Sequence, residues 1–287
     1  MKNLITLIVL TSYYFSTLAQ TNTEIYVFDF ENHNGKFILE NPINISENEG
    51  YDSQPFFLPN SEEILFSSNR NGQTDLIKYN LKTNQKEWLF NTAASEYSPT
   101  LTPNKKAISY IKLEENGTQL LWLYNLETQK ESILIPDLKI GYHVWFDNKT
   151  LISFVLGEPH TLQIINLNTQ KNQIIDSVIG RSLHKIPNKD LISYVSKKNE
   201  KWTINSLNPM DGTIEIITEI PFQIEDLTWT PDSNLLVSYH DSIYLYDIND
   251  SKSWKEIVSL KPFKLNGVTR LSVNPIGKKI ALVVQGK

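Results

Sequence analysis

The chain has 287 residues, of which 40% are hydrophobic, 11% aromatic and none cysteine. The lack of cysteine excludes disulfides, thiolate metal sites, cysteine nucleophiles and lipid attachment through cysteine. A net charge of −5, spread without any basic block, argues against a general nucleic-acid binder.

The first elements are those of an export signal. Lys2 is followed by an apolar run from Leu4 to Leu10, and small residues stand at Thr17 and Ala19. The run is shorter than the roughly 20 residues that a spanning helix needs. Residues 1–19 are therefore expected to be a cleaved signal peptide and residues 20–287 a single domain. That domain is expected in the periplasm or outside the cell, and not to span the membrane after cleavage.

The first predicted strands form a hairpin: EIYVFDF (Glu24 to Phe30), a polar turn with Asn32, His33, Asn34 and Gly35, then KFILE. A repeat follows. Six segments share one grammar: LPNSEEILF from Leu58, TPNKKAISY from Thr102, FDNKTLISF from Phe146, IPNKDLISY from Ile186, TPDSNLLVS from Thr230 and NPIGKKIAL from Asn274. Five carry proline at the second place: Pro59, Pro103, Pro187, Pro231 and Pro275. Pro59 to Pro103, Pro187 to Pro231 and Pro231 to Pro275 are each 44 residues apart, and the Phe146 segment divides the remaining gap. In that unit Phe146 is read as standing where the turn proline belongs.

Each segment is a tight turn between two apolar strands, with proline fixing φ and Asn or Asp bonding its own backbone. A second hairpin follows in most units, and Asn80, Asn125, Asn166 and Asp247 end the third strand, where an Asx turn would start. The unit beginning at Arg181 fits least well, because its third strand, WTINSLN, is polar. Four short strands per 40 to 45 residues are the pattern of a propeller blade. The strands are apolar on both faces, as blades buried between two neighbours would be.

After VTRLSV and IALVVQ the sixth unit ends two strands short. The N-terminal hairpin supplies the missing pair, since EIYVFDF matches DLIKYNL and IYLYDI and Asp29 matches Asn80 and Asp247. The expected fold is all-β, a six-bladed β-propeller whose last blade is closed by the N-terminal hairpin.

The Pro-Asn or Pro-Asp turn at this period, behind a signal peptide, resembles the WD40-like repeats of TolB propellers. The fullest match is SQPFFLPNSEEILFSSNRNGQTDLIKYN (Ser53 to Asn80), with its small-x-Pro lead-in; Tyr97-Ser98-Pro99 repeats that lead-in. The units near Gly141 and Arg181 have lost it. The resemblance implies a periplasmic or surface protein-binding platform, without the N-terminal domain of TolB. Related propellers also occur in sugar-acid lyases and in front of serine peptidases.

No P-loop, dinucleotide fingerprint, HExxH or CxxC pair is present. Gly180-Arg181-Ser182-Leu183-His184 opens like a nucleophile elbow but has His where the last Gly should be and lies at a strand entry, not on a strand-to-helix turn. Asp52, Glu96, Glu225 and Asp226 lie near the starts of first strands, where paired carboxylates could serve glycosidic chemistry or form a charged rim. The expected site is the channel mouth, with Tyr51, Asp52, Gln54, Tyr97, Tyr142, His143, Arg181, His184, Asp226 and Arg270 as candidate ligand or partner contacts. No catalytic residue, metal or cofactor is assigned. The expected function is an exported non-catalytic module, a monomer, that binds an envelope protein, peptide or glycan. The alternative is a propeller lyase or hydrolase acting on a sugar-acid or lactone at the same mouth.

Overall fold

The structure is a computed structural model that describes residues 22–33, 35–90, 92–249 and 252–286. The expected signal segment lies outside them. The described residues fold into six four-stranded antiparallel sheets in a ring, and apart from one short 3-10 turn at Lys261–Phe263 the regular structure is all strand. Among the described residues no helix is long and apolar enough to cross a membrane.

The chain begins with β1 (Thr23–His33) and β2 (Lys36–Asn44). Blade one follows as β3 (Asp52–Phe57), β4 (Glu63–Arg70), β5 (Gln73–Asn80) and β6 (Gln85–Trp88), and blade two as β7 (Ser95–Leu101), β8 (Ala107–Leu113), β9 (Gln119–Asn125) and β10 (Glu131–Ile135). Blade three is β11 (Ile140–Trp145), β12 (Thr150–Val155), β13 (Thr161–Asn166) and β14 (Lys171–Ser177). Blade four is β15 (Ile179–Lys185), β16 (Ile192–Ser196), β17 (Thr203–Leu207) and β18 (Ile214–Glu219). Blade five is β19 (Leu227–Trp229), β20 (Leu235–Tyr239), β21 (Ser242–Tyr246) and β22 (Trp254–Ser259). Blade six takes β23 (Arg270–Val273) and β24 (Lys279–Gln285) from the C-terminal end and β1 and β2 from the N-terminal end, in the order β2-β1-β24-β23. The splice runs from Thr23 opposite Gln285 to Asp29 opposite Lys279. At its far end Lys279 Nζ lies 2.6 Å from Asp29 Oδ1.

Strand period explains the two-sided apolar pattern. Successive side chains point to opposite faces, and in a blade each face belongs to a different core. In β24, Ile280, Leu282 and Val284 join a cluster with Leu236 and Leu245 of blade five, whereas Ala281 and Val283 join one with Phe57 and Phe66 of blade one. In β4, Leu65 turns to Ile108 and Tyr110 of blade two, away from the cluster that takes Ile64 and Phe66. Six such clusters fill the six contacts between neighbouring blades. Outermost strands face water, and all four residues of β6 are exposed.

The turns form as their residues dictate. Ser61 N–H closes on Leu58 O at 2.9 Å around Pro59, and Lys105, Lys189, Ser233 and Gly277 close the corresponding turns. Asn80 Oδ1 accepts the N–H groups of Lys82 and Thr83, and Asn125, Asn166 and Asp247 accept in the same way. The polar third strand of blade four still pairs on both sides, and Asn208 Oδ1 accepts from Met210 N–H in the corresponding turn. One assignment changes. Phe146 N–H bonds Thr150 O just as Thr230 N–H bonds Asn234 O, so Asp147, not Phe146, stands in the proline's place. Its Oδ1 accepts Lys149 N–H at 2.7 Å, which holds the turn without the ring of a proline.

Candidate functional site

The innermost strands β3, β7, β11, β15, β19 and β23 bring their first residues to one mouth of the central channel. Four of these first strands, β3, β7, β11 and β15, are bulged near the mouth, and the bulges of β3 and β7 carry a proline. Pairing slips between Ser53 and Phe56 and between Tyr97 and Thr100. The residue ahead of each proline, Gln54 or Ser98, takes a left-handed φ of 60° or 54°. Proline cannot donate to the ladder, so Pro55 and Pro99 favour such a bulge. The two bulges are tied together, because Gln54 Oε1 accepts Ser98 N–H at 2.8 Å and Ser67 Oγ–H at 2.8 Å. In blade four the pairing slips between Ile179 and Leu183. A Cβ on Gly180 would sit 3.0 Å from Val195 Cβ, and glycine there lets the backbone turn close to β16 just before Arg181.

A cavity of about 130 Å³ opens between these residues, lined by Gln54, Ser98, Tyr142, Arg181, Asp226 and Arg270 at its polar end. Its centre is one carboxylate between two guanidiniums. Arg181 donates to Asp226 from Nη2 at 2.5 Å and from Nε at 3.3 Å. Arg270 Nη1 donates to the same carboxylate at 3.3 Å, and its Nη2 donates to the Tyr142 hydroxyl at 2.9 Å. Burial works against the Arg270 charge, yet Asp226 and the hydroxyls of Tyr142 and Tyr51 hold its pKa above the ordinary value. Burial raises the Tyr51 pKa, and the charge of Arg270 opposes it.

His143 and His184 occupy register-equivalent places, opposite Ser153 and Ser193. Both line the cavity, and burial pushes their pKa values down to about 3 and about 4, so both are neutral at pH 7. His143 Nε2 lies 2.7 Å from Ser109 Oγ, which also receives Trp145 Nε1–H at 2.8 Å. His143 Nδ1 has no hydrogen-bond partner among the described residues. His184 Nε2 lies 3.0 Å from Ser182 Oγ. Among the described residues no three His, Asp or Glu side chains gather as a metal site requires.

Of the ten residues expected at the mouth, seven line this cavity: Gln54, Tyr142, His143, Arg181, His184, Asp226 and Arg270. Tyr51 stands beside it, near enough to Arg270 and Arg181 for their charges to act on it. Two are elsewhere. Asp52 is wholly buried, its carboxylate accepting from Ser68 and its backbone joined to Thr23 Oγ1. Tyr97 packs against the apolar cluster between blades two and three and meets the Tyr51 ring edge-on at 6.2 Å. The cause in both cases is the bulge that follows, which turns the strand and leaves the preceding residues facing a neighbouring blade.

The carboxyl groups are likewise dispersed. Burial raises Asp52 to about 7 and Glu96 to about 8, but both are fully buried and outside the cavity wall. Glu225 is paired with Lys197 at 2.5 Å. The opposite mouth, which the repeat pattern does not single out, also holds a cavity. There a funnel of about 710 Å³ is lined by Phe56, Trp145, Phe146, Lys185 and Trp229 among the turn prolines, and it shares His143 and His184 with the first cavity. The aromatic residues at the ends of first strands were the available signal.

No protein-family model matches the sequence, and no curated protein matches it. The fold has clear counterparts among solved structures. A putative TolB from Agrobacterium tumefaciens superposes with a TM-score of 0.71 at 13% identity, covering 93% of this chain and 99% of that one. TolB from Acinetobacter baumannii gives 0.59 at 12% identity over 93% of this chain, which spans 65% of the longer protein. An oligogalacturonate lyase in complex with manganese gives 0.59 at 11% identity, covering 94% and 99%. At these identities the likeness is one of fold: the chain is a six-bladed β-propeller with the architecture seen in TolB.

Proposed function

We propose that this chain is an exported, non-catalytic propeller that binds a segment of an envelope protein, peptide or glycan across the mouth formed by the first strands. The observation that carries this reading is the Arg181–Asp226–Arg270–Tyr142 cluster. It joins side chains from blades three, four, five and six at the wall of an open cavity. Tyr and Arg supply large contact area and directed donors, and they dominate the energetics of many interfaces. Acid–base chemistry finds less support at this mouth. Glu225 and Asp226 are bound to cations, and the two carboxyl groups with raised pKa values are sealed between blades.

The test is affinity capture from a native envelope fraction with the wild-type protein and with a Tyr142→Ala/Arg181→Ala double variant. Both side chains are partly exposed, so the variant is expected to melt close to wild type and to lose at least tenfold in captured partner, about 1.4 kcal/mol. Equal capture by a folded variant would reject this mouth.

A further inference from the structure

The charges at this mouth do not balance. Three cations, Lys197, Arg181 and Arg270, meet two carboxylates, Glu225 and Asp226. Glu225 is committed to Lys197 at 2.5 Å and lies 3.9 Å from Arg181. Asp226 serves Arg181 through two oxygens, the strong fork geometry of a guanidinium–carboxylate pair. Arg270, the more buried of the two arginines, is left with one 3.3 Å contact to a shared carboxylate and a hydrogen bond to a tyrosine hydroxyl. The histidines do not alter the sum, because both are neutral. A largely buried guanidinium with a fraction of a counter-charge is costly on its own. The deficit is one negative charge, and it lies beside a cavity with room for a group of a few heavy atoms.

Building on the binding reading above, we infer that the mouth recognises a carboxylate of the ligand, seated against Arg270 and Arg181. A guanidinium's planar donors match a carboxylate in shape. The excess of a single positive charge suits a monoanion better than a phosphate dianion. Tyr142 lines the same cavity and its hydroxyl already meets Arg270, and Tyr51 stands beside it within reach of both arginine charges. The carboxylate can come from an acidic amino-acid residue or from a sugar acid.

Titration calorimetry on the full chain with paired probes separates these sources. The pairs are N-acetylglutamate with N-acetylglutamine, and galacturonate with galactose; inorganic phosphate is the fifth probe. We expect at least one acid to bind at least tenfold more tightly than its neutral partner and more tightly than phosphate. The pair that discriminates names the source. Arg270→Gln should lower that affinity at least tenfold. Arg181→Gln, on the more exposed arginine, should lower it while leaving the melting temperature unchanged, which keeps the test valid should Arg270→Gln misfold. Three results overturn the inference: acid and neutral partner binding equally, phosphate binding best, or no acid binding at about 20 mM, a free energy weaker than about −2.3 kcal/mol. If the acids fail while capture still depends on Tyr142 and Arg181, the carboxylate inference falls and the binding reading stands. If the acids bind and capture is indifferent to the double variant, the reverse holds.

Discussion

Buried ionisable groups set how this ring responds to pH. Asp52 sits near Glu24 where blades six and one meet, and Glu96 sits against Asp75 where blades one and two meet. Burial is the main cause of both raised values, with the neighbouring carboxylate adding to it, while Lys86 acts on Asp52 and Lys112 on Glu96 in the opposite direction. A carboxyl whose folded pKa is raised binds more protons folded than unfolded, so it costs stability as pH rises from its ordinary value through about 7 or 8. The two histidines act the other way. Their folded values of about 3 and 4 lie below the ordinary 6.5, so they cost stability as pH falls from 6.5. Between pH 4.5 and 6.5 the two pairs oppose each other, and above pH 6.5 only the carboxyls act. Urea denaturation should therefore show a plateau in mildly acid solution and a decline from pH 6.5 to 8 of on the order of 1–2 kcal/mol per carboxyl. Glu96→Gln keeps a donor toward Asp75 and should remove its share of the decline, raising stability at pH 8. A variant with an unchanged slope would show that Glu96 is not the group that titrates.

At the scale of elements, closure depends on one hairpin. β1 lies between β2 and β24, buries Ile25 and Val27 toward blade one and Phe28 and Phe30 toward blade five, and hides the edge of β24. Deleting residues 22–44 should expose that edge and both cores, leaving a protein that aggregates and lacks the native cooperative melt. A soluble, monomeric deletion variant with the native melting temperature would contradict the closure. This element was legible in the sequence because EIYVFDF carries the same strand and Asx residue as the third strands of other units. The lead-in bulges were not. A small-x-Pro motif announces a proline in a strand, but the left-handed φ of Gln54 and Ser98, the burial of Asp52 and the packing of Tyr97 against the next cluster depend on the neighbouring blade. Nor does the pattern of prolines reveal that Asp147 closes a turn by itself.

For the whole molecule, the ring converts distance along the chain into proximity. Tyr142 and Arg270 are 128 residues apart and share a hydrogen bond, and Asp226 joins residues 44 and 45 positions away. The repeat length predicted that first strands would converge, and so named most of the residues at the cavity. It could not say which would pair, because one carboxylate shared by two guanidiniums is a property of the closed ring. Nor did it distinguish the two mouths, of which the polar one holds the charge imbalance and the proline-lined one the larger volume. The most direct measurement is hydrogen–deuterium exchange on the full-length protein, free and with its captured partner. Bound partner should slow exchange at residues 51–54, 97–100, 140–143, 180–184, 225–227 and 268–271 together. Slowing confined to the outer strands β6, β10, β14, β18 and β22, or to the proline turns of the opposite mouth, would contradict the account.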